Sequence, residues 1–410
     1  MMAGGRVLLI ANNFPPVRGG SALVYSELAR HANGMVEVLA PRTHYADDLP
    51  LIGWREHDRQ APFRVTRLML LRTPLRQSGD EPPIARLRFI AYDLALRLAV
   101  LGRLVAILAT RPISAVCVGE LMSGAWILRV LRFWPGLRRV AYVHGEEITT
   151  DDNYDPSGRR RRAALAAADV IIVVSRFTFD TVASMLPGAR DRIRLIENGV
   201  DFDRFAPAPG GPRGDLIERH GLRGHFVFVS VCRLLEKKGI DNAIRAFATL
   251  HRADPALRFL VVGDGPYAGT LAQIAVGEGV GEAVVFAGDV PDADLADHYR
   301  LGDVFVMPNR ALASGDTEGF GLVFLEANAA GLPVIAGRDG GSPAAVRDGE
   351  NGLLVDGHSV PAIAAAMRRL REDAALRARL AEGGRARASR SDWRLKAAEF
   401  IAACHDGARP

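Results

Sequence analysis

The sequence predicts an α/β protein of two doubly wound parallel-sheet domains. Three observations point there. Short, continuous apolar runs rich in Val, Ile and Phe alternate with longer amphipathic stretches along the whole chain. A strand buried on both faces reads as such a run, and strand–helix alternation builds parallel sheets. The chain has 410 residues, and domains of roughly 200 residues are natural for that length. A Pro/Gly-rich stretch, Ala206 to Gly214, interrupts the alternation near the middle, where a boundary belongs.

In order, the first half offers strands Val7 to Ala11, Val36 to Ala40, Ala115 to Gly119, Arg139 to His144, Val170 to Ser175 and Ile193 to Gly199. The second offers Phe226 to Val231, Phe259 to Gly265, Val284 to Val290, Val304 to Pro308, Pro333 to Gly337 and Gly352 to Asp356. Helices are expected over Ala22 to His31, Asp241 to His251, Thr317 to Gly331 and Asp392 to Ala403. The domains are expected over 1–200 and 201–387.

Composition excludes several classes. Apolar residues make up 49 % and charged residues 24 %, an ordinary globular balance. Cys117, Cys232 and Cys404 stand far apart with no C-x-x-C pair, so neither a zinc site nor a disulfide framework is suggested. The N-terminus runs straight into an apolar strand without a signal-type segment, and the expectation is a cytoplasmic protein, or one peripheral at the inner membrane face. Residues 1–200 carry 27 Arg, no Lys and 19 acidic residues, a net of +8 within a total of +5. That asymmetry suits an anionic partner or a merely solvated surface. No aromatic-interleaved basic platform is present, so nucleic acid is not expected.

The apolar stretch Phe89 to Thr110 is broken by Asp93, Arg97 and Arg103, which argues against a spanning helix. Arg67, Arg72, Arg76, Arg86 and Arg88 precede it. Basic plus apolar suits contact with an anionic membrane surface; a buried core helix beside an Arg-rich loop is the other reading and the one preferred here.

The run Glu318-Gly319-Phe320-Gly321-Leu322-Val323-Phe324-Leu325-Glu326 carries the most chemistry. Its glycines leave the backbone N–H groups of Phe320, Gly321 and Leu322 at a helix N-terminus, a natural anion site. Glu326, two turns on, is placed to accept hydrogen bonds from ribose hydroxyls; a plain capped helix is the bland alternative. Arg233 and Lys238 follow the strand ending at Val231, at the carboxyl edge where ligands bind in such sheets, and both suit phosphate oxygens. Phe14-Pro15-Pro16 leads to Gly19-Gly20, where a backbone can approach a ligand closely. The dinucleotide spacing G-x-G-x-x-G is missing there, which disfavours a dehydrogenase.

Together these residues resemble the retaining glycosyltransferases of family four, which have the GT-B fold: two Rossmann-like domains facing a central cleft. The resemblance covers nearly the whole chain and is most specific from Arg233 to Gly357. It implies that Arg233 and Lys238 hold the donor pyrophosphate, Glu318 meets the transferred sugar, Glu326 holds the ribose, and the backbone of Phe320, Gly321 and Leu322 caps the diphosphate. It further implies that Gly263 and Gly265 of the loop Gly263-Asp264-Gly265-Pro266, with Val290, flank the nucleotide; that Gly19 and Gly20 lie over the donor phosphates; that His144 contacts the sugar; and that the last helix, 388–410, crosses back onto the N-domain. His144, Glu318, Arg233 and Lys238 form the implied catalytic set. Ser175-Arg176-Phe177-Thr178 is structural or acceptor-side. Asp292-Ala-Asp294 and Asp201-Phe-Asp203 imitate a metal-binding D-x-D pattern but read as turns, since Arg, Lys and helix N–H groups can neutralise a leaving diphosphate without a metal. No metal or other cofactor is expected.

The segment Gly315 to Ala327, with Gly340-Gly341-Ser342-Pro343, looks like mannosyltransferases acting on phosphatidylinositol mannosides and those of exopolysaccharide assembly. This implies mannose transfer from GDP-mannose to a lipid-linked or glycan acceptor. A UDP-sugar donor (glucose or N-acetylglucosamine) is the alternative; an epimerase of the same fold and a non-catalytic nucleotide-sugar binder are more distant ones.

Overall fold

A computed structural model describes residues 5–44, 49–73, 83–150, 155 and 157–406; Arg76 lies outside them. A seven-stranded sheet is built from β1 (Arg6–Ile10), β2 (Val36–Pro41), β3 (Val65–Leu68), β4 (Ile113–Val118), β5 (Arg138–Val143), β6 (Val170–Val173) and β7 (Ile193–Leu195). A six-stranded sheet holds β8 (Phe226–Val231), β9 (Leu257–Val262), β10 (Val284–Gly288), β11 (Val304–Met307), β12 (Val334–Gly337) and β13 (Gly352–Val355). Their orders are 3-2-1-4-5-6-7 and 10-9-8-11-12-13, and every pairing is parallel. These are two Rossmann-like domains, as the apolar runs implied. β4, β5, β8 and β11 are almost wholly buried, which is why they read as unbroken apolar stretches.

Several strands end earlier than the runs suggest. His144, Ser175 and the Glu197-Asn198-Gly199 segment fall in loops beyond their strands, because these residues turn toward the facing domain. β3 was not anticipated: it is a four-residue edge strand with Arg67 inside it, too short for an apolar run. The helix expected over Thr317 to Gly331 spans only Leu322–Ala329. Gly321, at φ +87°, is its N-cap, a left-handed conformation that glycine adopts without strain.

The terminal helix Trp393–His405 packs on the helix Gly20–His31 and on β4, β5 and β6. His405 fixes its end through Nε2, 2.8 Å from Ser114 Oγ and 3.0 Å from the Gly5 carbonyl.

The helix Pro83–Thr110 departs from the buried-core expectation. Val100, Leu104 and Ile107 pack inward, but Ile84, Leu87, Ile90, Leu94, Leu98 and Val105 are exposed, Ile84 by 71 %. At 100° per residue the exposed six share one stripe opposite the buried three. Arg67 is likewise no surface cation. Its guanidinium is tied to Asp58 at 2.8 Å and to the carbonyls of Pro41 and Pro15.

Candidate active site

The carboxyl edges of the two sheets face each other, and the switch points β1/β4 and β8/β11 lie where doubly wound sheets bind ligands. Backbone meets backbone across the seam. A Cβ added to Gly319 would lie 2.0 Å from the His144 carbonyl oxygen, and one on Gly315 would lie 2.2 Å from that of Thr149. Gly145, at φ +132°, faces Gly319 from the other side. These glycines let the loops after β5 and before the helix Leu322–Ala329 touch. Arg18 pairs with Asp289 across the same cleft.

Lys238 Nζ donates to Glu318 Oε2 at 2.5 Å, and both side chains are largely buried. Burial works against each charge, but each partner outweighs it: Lys238 is held above the usual lysine range and Glu318 below the usual carboxylate range. Glu318 is therefore ionised at neutral pH and is no proton donor. The Phe320 ring is buried in the core. Leu322 and Val323, the first residues of the helix, keep N–H groups without helical partners. Arg233 is exposed, and among the described residues it has no ion pair. One fixed and one unengaged cation thus border a helix N-terminus, an arrangement able to stabilise a departing diphosphate.

Glu326 is buried and accepts a hydrogen bond from the Tyr299 hydroxyl at 2.6 Å. Burial raises its carboxyl above the usual range, with Tyr299 opposing.

His144 lies beyond β5, stacked on Tyr142 with ring centroids 4.9 Å apart. Its Nε2 is 2.8 Å from the Tyr25 hydroxyl, whose own proton goes to the Gly119 carbonyl. Nε2 must then carry the imidazole proton, which leaves Nδ1 as an acceptor. Burial lowers its pKa to about 4, so the ring is neutral at pH 7.

Of the Gly19-Gly20 pair, Gly20 is the nearer to the other domain: its Cβ would sit 3.8 Å from a Leu322 methyl, whereas Gly19, the N-cap, has open space. Cβ atoms on Gly263 and Gly265 would strike the carbonyls of Cys232 and Leu234 at 2.0 and 2.4 Å; close packing of that loop on the one carrying Arg233 thus accounts for both glycines. Val290 is half-buried beside Asp289.

Ser175 and Thr178 form a capping box at the helix Arg176–Met185, so that motif is structural. Asp292 and Asp294 lie on the helix Asp292–Arg300 rather than on a turn, paired with Arg204 and Arg213. Asp201 caps the short helix that follows it. Among the described residues no three His, Cys, Asp or Glu side chains converge as metal ligands. A cavity of about 380 Å³ lined by Pro207, Arg300, Leu332 and Ala378 lies away from the cleft.

Sequence reasoning missed four participants. Lys237 is buried and holds Asp316 at 2.7 Å, fixing the loop that presents Glu318. Tyr25 and Tyr299 orient His144 and Glu326; their place on helices hid them among core aromatics. Glu147 accepts the N–H groups of His144 and Gly145 at 2.8 and 3.0 Å. Its position three residues after His144 was the available signal.

The family model Glycosyltransferase Family 4 matches residues 18–204, and Glycosyl transferases group 1 matches 213–387. The chain is 35 % identical over 401 residues to the GDP-mannose-dependent alpha-(1-6)-phosphatidylinositol monomannoside mannosyltransferase of Mycolicibacterium smegmatis, covering 96 % of this chain and 97 % of that one. It is 35 % identical over 292 residues to the D-inositol 3-phosphate glycosyltransferase of Acidothermus cellulolyticus, covering 67 % and 61 %. Among solved structures, Anabaena HepE in complex with UDP matches with a TM-score of 0.73 at 21 % identity, over 97 % of this chain and 98 % of that one. A sucrose-phosphate synthase from Thermosynechococcus elongatus matches with 0.73 at 22 %, over 97 % of each.

Proposed function

The chain belongs to the family 4 / group 1 glycosyltransferases, and on that premise we propose that it moves mannose from GDP-mannose to an inositol-bearing glycolipid with retention of anomeric configuration. The observation that carries the reading is the 35 % identity to the smegmatis mannosyltransferase over essentially the full length of both chains. The Acidothermus relative, by its name, also acts on an inositol compound.

In this reading the GDP diphosphate lies at the N-terminus of the helix Leu322–Ala329, between Arg233 and Lys238, with the ribose on Glu326. As the sugar C1–oxygen bond breaks, the electron pair goes to the phosphate oxygen, and the two cations with the helix N–H groups stabilise it. The acceptor hydroxyl attacks C1 from the leaving-group face and gives its proton to that phosphate oxygen. Glu318, committed to Lys238, orients the sugar and is no covalent nucleophile. His144 receives a sugar hydroxyl at Nδ1.

A glycolipid acceptor fits the exposed apolar stripe of the helix Pro83–Thr110, which at about 1.5 Å per residue runs about 40 Å along the N-domain. No helix among the described residues is long and apolar enough to cross a membrane, so the stripe suits a surface contact.

Calorimetry and thermal shift with GDP, UDP, GDP-mannose, UDP-glucose and UDP-N-acetylglucosamine, on wild type and Glu326→Ala, test the donor. Binding of GDP and GDP-mannose that is lost in the variant supports the proposal. Selective UDP binding overturns the donor but keeps the transferase; an inverted product anomer by NMR overturns the mechanism.

A further inference from the structure

Glu120 stands at the carboxyl end of β4, and the transfer chemistry above gives it no role. Both its oxygens are engaged by the loop that follows β1: Oε2 accepts the Asn12 N–H at 2.8 Å and Oε1 the Asn13 N–H at 2.9 Å. The Asn12 side-chain amide reaches Oε2 at 3.3 Å and Ser123 Oγ at 2.8 Å. Asn12 is buried. The preceding residue, Gly119, donates its N–H to the Ile10 carbonyl at 2.9 Å and accepts from Tyr25, which in turn holds His144. One corner of β4 therefore anchors both the root of the loop after β1 and the histidine of the cleft.

The other end of that loop is the part that meets the donor domain, through Gly20 beside Leu322 and Arg18 with Asp289. Farther along, the buried Arg67 guanidinium holds the same loop by the Pro15 carbonyl, whereas Asn12 and Asn13 are held by Glu120. We propose that Glu120 is a positioning residue for the transfer: its ionised carboxylate grips the Asn12 and Asn13 amides and thereby holds Gly20 beside Leu322 at the N-terminus of the helix Leu322–Ala329. The inference rests on the glycosyltransferase reading of that helix terminus.

Two carboxylate oxygens facing two N–H donors make a grip that is strongest for the ionised side chain: an amide replaces one acceptor with a donor, and protonation leaves one oxygen a hydroxyl that accepts more weakly. The groups around it oppose ionisation. Among the described residues Glu120 has no cation partner. Glu147 follows β5, and Tyr25 and Cys117 flank it on the neighbouring helix and on β4; neutral His144 lies beyond Tyr25. Burial, and after it Glu147, raise the Glu120 carboxyl to about 7 against the pull of the Asn12 and Asn13 hydrogen bonds. The grip tightens as pH rises through neutrality and slackens below it.

The experiment is Glu120→Gln in the full chain with two readouts. The first is hydrogen exchange of the 11–20 segment at pH 6 and pH 8, corrected for the intrinsic rates and referenced to the helix Ile240–His251. The second is kcat and KM for GDP-mannose turnover from pH 5.5 to 8.5. In wild type, protection of the segment and kcat rise together through about pH 7. In the variant the segment exchanges fast at both pH values, kcat falls on the order of 10- to 100-fold, and this acid limb disappears while the donor KM changes less. A variant whose segment stays as protected as wild type, or whose kcat keeps the wild-type acid limb, overturns the proposal. If the variant does not fold, wild type alone decides: protection of 11–20 unchanged between pH 6 and 8 overturns it. The exchange readout needs no sugar, so absence of GDP-mannose turnover counts against the donor reading and leaves the grip decided by exchange.

Discussion

Replacing Lys238 with methionine separates the two roles of its ion pair. The ammonium lies 2.5 Å from Glu318 Oε2, with side chains 15 % and 14 % exposed. Removing one partner strands a buried carboxylate, and such changes cost about 3–5 kcal/mol. The sign of the pH dependence should invert as well. In wild type the lowered Glu318 carboxyl contributes stability that is present above the unfolded carboxylate pKa and lost as pH falls through the folded value. Without Lys238, burial is the first influence left, opposed by the lesser pull of Lys237, and should raise the folded value. The Glu318 contribution is then fully present below the unfolded pKa and lost as pH rises. Lys238→Met should therefore be least handicapped near pH 4 and most near pH 8. Adding Glu318→Gln removes the stranded charge and should recover most of the stability, but it restores no cation for the diphosphate. The loss in kcat should stay on the order of 10²- to 10³-fold in both variants. Denaturant unfolding at pH 4.5 and 8, with steady-state transfer assays, reads both effects. A Lys238→Met enzyme with kcat within threefold of wild type would refute the assignment of Lys238 to the leaving group. A double variant no more stable than the single one would refute the stranded-charge account.

Gly319→Ala places a methyl 2.0 Å from the His144 carbonyl, so the two loops must separate; transfer should fall by at least tenfold while calorimetry still detects nucleotide binding to the donor domain. His144, with a folded pKa of about 4, stays neutral where the unfolded imidazole charges, so its stability contribution is present above about pH 6.5 and lost as pH falls toward 4. His144→Phe should flatten up to about 3 kcal/mol of that acid loss in thermal unfolding scans; an unchanged pH profile would contradict the buried neutral ring. Leu87→Asp with Leu94→Asp puts charges on the exposed stripe and should weaken binding to anionic liposomes in flotation assays at low salt, with little change in melting temperature; unaltered binding would remove the stripe from the membrane contact.

Much of the donor-side site is legible because its signals are local. A glycine-rich turn before an apolar helix, two glutamates and a basic pair after a strand all lie within short stretches. The structure adds what those residues do to one another: Lys238 is bound to Glu318 rather than waiting beside Arg233, and Lys237 holds Asp316 two residues before that glutamate. The acceptor side is less legible. Glu120 and Asn12 are 108 residues apart, and Tyr25 and His144 are 119 apart; no spacing rule reaches so far.

The fold class, the two sheets and the family followed from the sequence itself, because strands buried on both faces must be written in unbroken apolar residues and glycines must stand where backbones turn. Tertiary structure alone decided the rest. It exposed the stripe of the helix Pro83–Thr110, since an apolar residue reads the same whether a neighbour covers it or not. It set which charges pair and which carboxylates stand without a cation, because ionisation depends on what the fold brings within a few ångströms and how much water it leaves there.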